Sequence, residues 1–297
     1  MKILIITGGL SSERTVSLSS AKFVNIALRN LGYKTKIFDL KKGLNELKNE
    51  SKNYDILFPV LHGEEGEGGS LHKFLVTLKK PIVGTRNYKG LREAWYKISF
   101  KKYCDKNSIL TPPWKKVKKE KDVLNFGFPS VLKSTNGGSS KEVVILKREE
   151  DLKSKACQKL LSSDSPLFVE RYINGIEATV GILNNEALPV MEIVPPKGKW
   201  FDYKNKYSGE TKEIPNAPTL SEGMKKKLQK ITVKIHKGFN LDSYSRTDFI
   251  IDNNKAYVLE INTIPGLTKE SLLPKIAKSK GIESFEEFIE ELVKKAY

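Results

Sequence analysis

The sequence predicts an α/β parallel-sheet lobe at the N-terminus followed by α+β lobes, and three observations carry that prediction. The first 86 residues alternate short apolar runs with helical periods, the βαβαβ pattern of a parallel sheet covered by helices. Beyond residue 87 come short strands, Gly- and Pro-punctuated loops and isolated helices, as in α+β units. At 297 residues the chain is too long for one small core and suits two or three packed lobes. The expected divisions are 1–86, 87–170 and 171–297.

In chain order, residues 2–7 form an apolar run that stops at Gly8-Gly9, a buried strand feeding a loop. Leu18, Ala21, Val24, Leu28 and Leu31 then recur at helical spacing until Gly32. Residues 34–40, 55–60 and 81–84 read as strands, and 71–78 as a helix. Ligands of such sheets gather at the carboxyl ends of the strands, here residues 8–14 and 61–69. A helix over 90–103 leads to the breaker Thr111-Pro112-Pro113. Strands at 129–134 and 142–147 flank a Gly/Ser loop, followed by a helix at 149–161 and a strand at 167–171. The remainder reads as strands at 177–183 and 188–194, a long helix at 221–239, a hairpin at 243–262 and a terminal helix. Residues 195–218 have no period yet hold Trp200, Phe201, Tyr203 and Tyr207, which suits a lid.

Composition narrows the partners. Hydrophobic residues make up 39% and charged ones 29%, which argues against disorder. The net charge of +17 raises nucleic-acid binding as a question. No segment resembles a recognition helix, and the clumps at 115–121 and 225–227 have no alternating aromatics for bases to stack on. No nucleic-acid partner is expected. The apolar run 3–6 is too short for a signal sequence or a membrane span. Cys104 and Cys157 suggest neither a disulfide framework nor a metal site, so a cytoplasmic protein is expected.

Three segments carry candidate chemistry. In the hairpin, a three-residue loop at 253–255 would set Arg246 opposite Asn262 and Asp248 opposite Glu260. Directly opposed residues share a face, so two carboxylates and an amide oxygen would meet there as hard ligands for Mg²⁺. A two-residue loop would instead pair Asp248 with Leu259 and scatter the group. The second segment is Lys133-Ser134-Thr135-Asn136-Gly137-Gly138-Ser139-Ser140, a Gly/Ser loop after a strand and suited to phosphate oxygens. It lacks the Gly-Lys-Ser/Thr ending of a Walker A loop. Third, Glu170 and Glu177 bracket Asn174-Gly175, while His62 and Glu13-Arg14 sit at the ligand edge of the first lobe. Taken singly, each is also what a solvated surface or a satisfied core residue looks like.

Five collinear stretches resemble D-alanine–D-alanine ligases of the ATP-grasp superfamily, and the resemblance spans essentially the whole chain. They are Gly8-Gly9-Leu10-Ser11-Ser12-Glu13-Arg14-Thr15-Val16-Ser17, then Leu61-His62-Gly63 with Glu67 and Gly69, and Glu170-Arg171-Tyr172 with Glu177. The last two are Phe201-Asp202-Tyr203-Lys204-Asn205-Lys206-Tyr207 and the run from Leu259 through Thr268 with Ser271 and Pro274. The resemblance implies an ATP-grasp fold behind an N-terminal parallel-sheet lobe, and ATP-dependent joining of two D-alanines for peptidoglycan through a D-alanyl phosphate. It implies that Lys97, Lys133 and Ser139 hold ATP phosphates, and that Glu170, Arg171 and Glu177 bind the adenosine. Asp248, Glu260 and Asn262 would bind Mg²⁺ or Mn²⁺, with two ions expected. Glu13, with His62 nearby, would take the first D-alanine's ammonium. Arg246, Ser271 and the Leu272 amide would take the second's carboxylate. Lys206 and Tyr207 would close over the γ-phosphate, and Tyr207 favours D-alanine as second substrate. A homodimer is also implied.

Three departures stand out. Lys141-Glu142 replaces the family's aliphatic-Gly in the phosphate loop, Glu67-Gly68-Gly69 replaces Glu-Asp-Gly, and Tyr96 replaces an acid before Lys97. Two alternatives therefore stay open: another ATP-grasp dipeptide or depsipeptide ligase, and a nucleotide-binding protein without ligase activity.

Overall fold

The computed structural model describes residues 1–138, 142–196 and 210–296. Three strands, β1 (Lys2–Thr7), β2 (Lys34–Asp39) and β3 (Ile56–Pro59), form a parallel sheet in the order β2-β1-β3. Ile3, Leu4, Ile5 and Ile6 are all fully buried, as a central parallel strand covered on both faces requires. The covering helices are α1 (Arg14–Asn30), α2 (Leu44–Ser51), the single turn α3 (Glu64–Glu67) and α4 (Ser70–Thr77). The expected strand at 81–84 is only an isolated bridge from Ile82 to Leu57. Pro81 has no amide hydrogen to donate, and Gly84 turns the chain at φ +101°.

The expected helix at 90–103 is two helices, α5 (Tyr88–Trp95) and α6 (Lys97–Lys106), separated at Tyr96 where ψ is 104°. The break has a tertiary cause. The amides of Lys97 and Ile98 donate to the Thr135 carbonyl (2.8 Å) and hydroxyl (3.1 Å), so the following strand's loop captures the start of α6. Likewise the expected helix at 149–161 is a 3₁₀ segment, Glu149–Lys153, and then α8 (Lys155–Leu161), after α7 (Glu120–Phe126). Ser154 caps α8 by accepting from Cys157 N at 3.3 Å.

Two antiparallel sheets make up the rest. One has four strands in the order β4-β7-β5-β6: β4 (Trp114–Val117), β5 (Ser130–Ser134), β6 (Val143–Leu146) and β7 (Leu167–Arg171). The other has five in the order β10-β9-β8-β11-β12: β8 (Ile176–Leu183), β9 (Glu186–Val194), β10 (Lys212–Pro215), β11 (Tyr244–Asp252) and β12 (Lys255–Asn262). Part of the stretch expected to be a structureless lid is thus a strand, since β10 pairs with β9 from Lys212↔Val194 to Pro215↔Met191. Residues 197–209, which include Lys206 and Tyr207, lie outside the described residues.

Helix α9 (Glu222–Gly238) covers the five-stranded sheet, burying Leu228 and Ile235 with Phe249 and Val258. The closing helices α10 (Leu272–Lys278) and α11 (Phe285–Lys294) pack Leu273, Ile276 and Phe288 against Ile3 of the first sheet and Val24 and Leu28 of α1. The chain's two ends therefore share one core, which fixes the first lobe against the last strands. Among the described residues no helix is long and apolar enough to cross a membrane.

The β11–β12 hairpin corrects one expectation. Its loop has two residues, not three: Asp252 pairs with Lys255, and Asn253 and Asn254 both take positive φ (45° and 59°). That loop alone would set Asp248 opposite Leu259. A β-bulge between Asp248 and Phe249 leaves Leu259 as the extra residue, and beyond it Asp248 faces Glu260 and Arg246 faces Asn262. The expected pairing is present for a different reason. The extra residue, Leu259, lines a cavity.

Candidate active site

A cavity of about 380 Å³ lies between the two antiparallel sheets. Val131 and Lys133 of β5, Val143 and Ile145 of β6, and Glu170 and Arg171 of β7 form one wall. Glu177, Ile193, Asp248, Ile250, Leu259 and Glu260 form the other. Its apolar slot ends in charged groups, the usual composition of a small-molecule site.

Lysines and acids at the polar end are tightly paired. Glu170 is buried, with Lys133 Nζ at 2.6 Å from one carboxylate oxygen and Lys101 Nζ at 2.5 Å from the other. Burial would raise the Glu170 carboxyl, but the two lysines outweigh it and the net shift is downward. Burial lowers Lys101 against the pull of Glu170; at Lys133 the pull of Glu170 wins and the shift is upward. Lys97, the first residue of α6, donates to the Gly137 carbonyl at 2.6 Å and lies 3.3 Å from Glu260. Arg171 turns outward to the Phe126 and Pro129 carbonyls, over the Phe126 ring.

A second cavity, about 440 Å³, opens between the first lobe and the end of the hairpin. Glu13, His62, Arg246, Asn262, Ser271 and Leu272 all line it. The two cavities share Lys97, Gly138 and Glu260, so they adjoin at these residues. Gly138 sits so close to Glu13 that a Cβ there would push the Glu13 carboxylate aside. At the first lobe's edge Gly8 and Gly9 have φ of +80° and +73°, and side chains there would strike Asp39 and Glu65. Those acids anchor the loop that carries Glu13: Asp39 pairs with Arg14, and Glu65 accepts from Ser11 N at 2.9 Å. His62 is held between Ser17, which accepts its amide, and Ser20 at 3.1 Å from Nε2. Ser271 immediately precedes α10 and accepts from Thr268 N at 3.1 Å.

On the hairpin, Arg246 grips Asp248 with two hydrogen bonds of 3.0 and 2.9 Å. Asn262 Nδ2 donates to the same carboxylate at 2.9 Å, and Thr179 Oγ1 donates at 2.6 Å. Glu260 stands opposite Asp248. Among the described residues no group of three or more His, Cys, Asp or Glu could hold a metal. The available set is two acids and an amide.

The structure thus brings together Glu13, His62, Lys97, Lys133, Glu170, Glu177, Arg246, Asp248, Glu260, Asn262, Ser271 and Leu272 around two joined cavities. Ser139 lies outside the described residues, with Lys206 and Tyr207. Sequence reading missed Lys101 and Thr179, and it named Glu67 without a role. Lys101 is one helical turn after Lys97, a signal that was present. Thr179 meets Asp248 only because β8 pairs with β11, which no local pattern reveals.

Buried titrating groups make the protein's stability depend on pH. Burial pushes His72 and His236 down to about 4 and also lowers His62. An unfolded chain protonates these imidazoles near 6.5, so their contribution is lost as pH falls from 6.5 towards 4. Glu67 has the opposite sign. Burial, with Glu13 beside it, pushes its carboxyl up to about 8 from 4.5, so its contribution is lost as pH rises through 8. Three imidazoles outweigh one carboxyl below 6.5, and just above it the Glu67 carboxyl sets the slope. Urea midpoints of the ligand-free protein are expected to peak at about pH 6.5. A steady rise from pH 5 to 8 would contradict this, and Glu67→Gln is expected to flatten the alkaline side.

Two antiparallel sheets clasping a cation-rich cavity, joined to a second polar cavity, are the arrangement of a two-compartment small-molecule site. The family described as "D-ala D-ala ligase C-terminus" matches residues 103–294. The D-alanine–D-alanine ligase of Aquifex aeolicus is 40% identical over 288 residues, covering 95% of this chain and 97% of that protein. That of Pelagibacter ubique is 38% identical, covering 99% and 98%. The crystal structure of the Bacillus anthracis D-alanine–D-alanine ligase complexed with ATP superposes with a TM-score of 0.85 at 28% identity, covering 99% of this chain and 97% of that one. The chain belongs to the D-alanine–D-alanine ligase family, with the ATP-grasp fold.

Proposed function

We propose that this chain joins two D-alanine molecules at the expense of ATP, through a D-alanyl phosphate, to give D-alanyl-D-alanine for peptidoglycan, ADP and phosphate. The observation that carries this reading is the meeting of the two cavities at Lys97, Gly138 and Glu260. A carboxylate is a poor electrophile and must first be activated, so the nucleotide's terminal phosphate and an amino-acid carboxylate have to touch. The junction is where they would do so.

ATP would lie in the first cavity, its base in the apolar slot and its ribose near Glu177. Its phosphates would lie toward Lys97, Lys133 and the loop containing Ser139. The Glu170 carboxylate is committed to two lysines, so the base would meet the rim around Arg171 rather than that side chain. Glu13 would hold the first D-alanine's ammonium, with His62 behind it. Arg246, Ser271 and the Leu272 amide would receive the second D-alanine's carboxylate. Asp248, Glu260 and Asn262 offer hard oxygen donors on one strand pair, which fits Mg²⁺ or Mn²⁺, with two ions expected. Asp248 already accepts from three side chains, but ionised carboxylates keep further lone pairs, and the Asn262 oxygen is the atom that would turn inward. Metal there would offset phosphate charge. The chain's own cations, Lys97, Lys133 and Arg246, are preorganised around the same spot. Lys206 and Tyr207 would close as a lid, excluding water from the acyl phosphate. We read the chain as lobes 1–86, 87–170 and 171–297, working as a cytoplasmic homodimer.

The test is phosphate release from ATP and Mg²⁺ with D-alanine, L-alanine or D-lactate. Release is expected with D-alanine. ATP binding without any D-alanine-dependent release would favour a binding module, and release with D-lactate a depsipeptide ligase.

A further inference from the structure

One buried cation beside the nucleotide cavity has no part in the scheme above. Lys101 lies one turn beyond Lys97 on α6, its side chain only 1% exposed, and it is not among the residues lining either cavity. Its Nζ sits 2.5 Å from Glu170 Oε2 and also donates to Thr111 Oγ1. The Thr111 hydroxyl spends its own hydrogen on the Val258 carbonyl at 2.9 Å, so toward Lys101 it can only accept. Lys101 thus faces two acceptors, the setting of a charged ammonium. Across the Glu170 carboxylate, on Oε1, lies Lys133, whose side chain is 14% exposed and lines the cavity. Two cations therefore share one buried anion, and the surplus charge reaches the cavity through Lys133.

We propose that Lys101 is a positioning residue for nucleotide binding: by neutralising Glu170 from behind, it leaves Lys133 free to act on the phosphates. This rests on the reading of the first cavity as the ATP site. Without Lys101 the pair Glu170–Lys133 closes on itself, and the cavity loses its surplus charge where low dielectric makes each charge count most. The interaction is electrostatic and local to the nucleotide, so D-alanine binding in the second cavity is spared. Removing the anion together with Lys101 also returns Lys133 to the phosphates.

The experiment compares wild type, Lys101→Met, Glu170→Gln, the double variant and Lys133→Met, each measured for ATP affinity with Mg²⁺ and for the KM of ATP and of D-alanine. Lys101→Met is expected to weaken ATP by about tenfold while the KM of D-alanine changes less than about twofold. The double variant is expected to bind ATP within about threefold of Glu170→Gln. Equal rises in both KM values, or the same tenfold loss when Lys101→Met is added to Glu170→Gln, would overturn the proposal by marking Lys101 as merely structural. Should Lys101→Met alone not fold, the comparison of Glu170→Gln with the double variant still decides. If Lys133→Met leaves ATP binding intact, the nucleotide reading of the cavity falls and the role of Lys101 with it. A loss at Lys133→Met with none at Lys101→Met removes only the role of Lys101.

Discussion

Glu260→Gln is expected to cut turnover by about 100-fold or more, roughly 3 kcal/mol in the barrier, with the fold intact. Glu260 stands where the two cavities meet, opposite Asp248 and 3.3 Å from Lys97. Glutamine keeps the shape and one oxygen but removes the charge that a divalent ion and the nearby lysine would share. The side chain is 31% exposed, so its pairing with Lys97 contributes little to stability. Turnover across a Mg²⁺ titration, set beside the melting temperature, checks this. Near-normal activity at low Mg²⁺ would reject Glu260 as a metal ligand.

Arg246→Met is expected to lower kcat/KM for D-alanine by about 100-fold or more, with a smaller change in the KM of ATP. Arg246 lines the second cavity and not the first, while Asp248, which it grips, lines the first. Losing the guanidinium removes a carboxylate-binding fork and leaves Asp248 with only Thr179 and Asn262 among its side-chain donors described above. Stability of the ligand-free protein is expected to fall too, because a nearly buried acid loses its cation. Arg246→Lys keeps the charge but not the fork, so it is expected to recover only part of the activity. Equal losses for ATP and D-alanine would argue against a substrate-side role.

Much of this molecule was legible from residue order. The run before Gly8-Gly9, the helical spacing from Leu18 to Leu28 and the apolar strand before His62 each state their element locally, because one period or one breaker decides it. The same holds for the acids of the hairpin. Their register was reached with the wrong loop length, and only the Leu259 bulge restored it. A bulge depends on the partner strand, and a single strand's sequence does not declare it.

Other features were set only in three dimensions. The break at Tyr96 exists because Thr135, far along the chain, captures the amides at the start of α6. Strand β10 lies in a stretch without alternation and forms because β9 offers it an edge. The pairing of Glu170 with Lys101 and Lys133 needs α6, β5 and β7 to converge. By itself the sequence determined most of the elements, which residue types could do chemistry, and what family they resemble. The tertiary structure decided which charges face one another, because ion pairs and sheet edges join residues far apart in the chain whose approach no local period encodes.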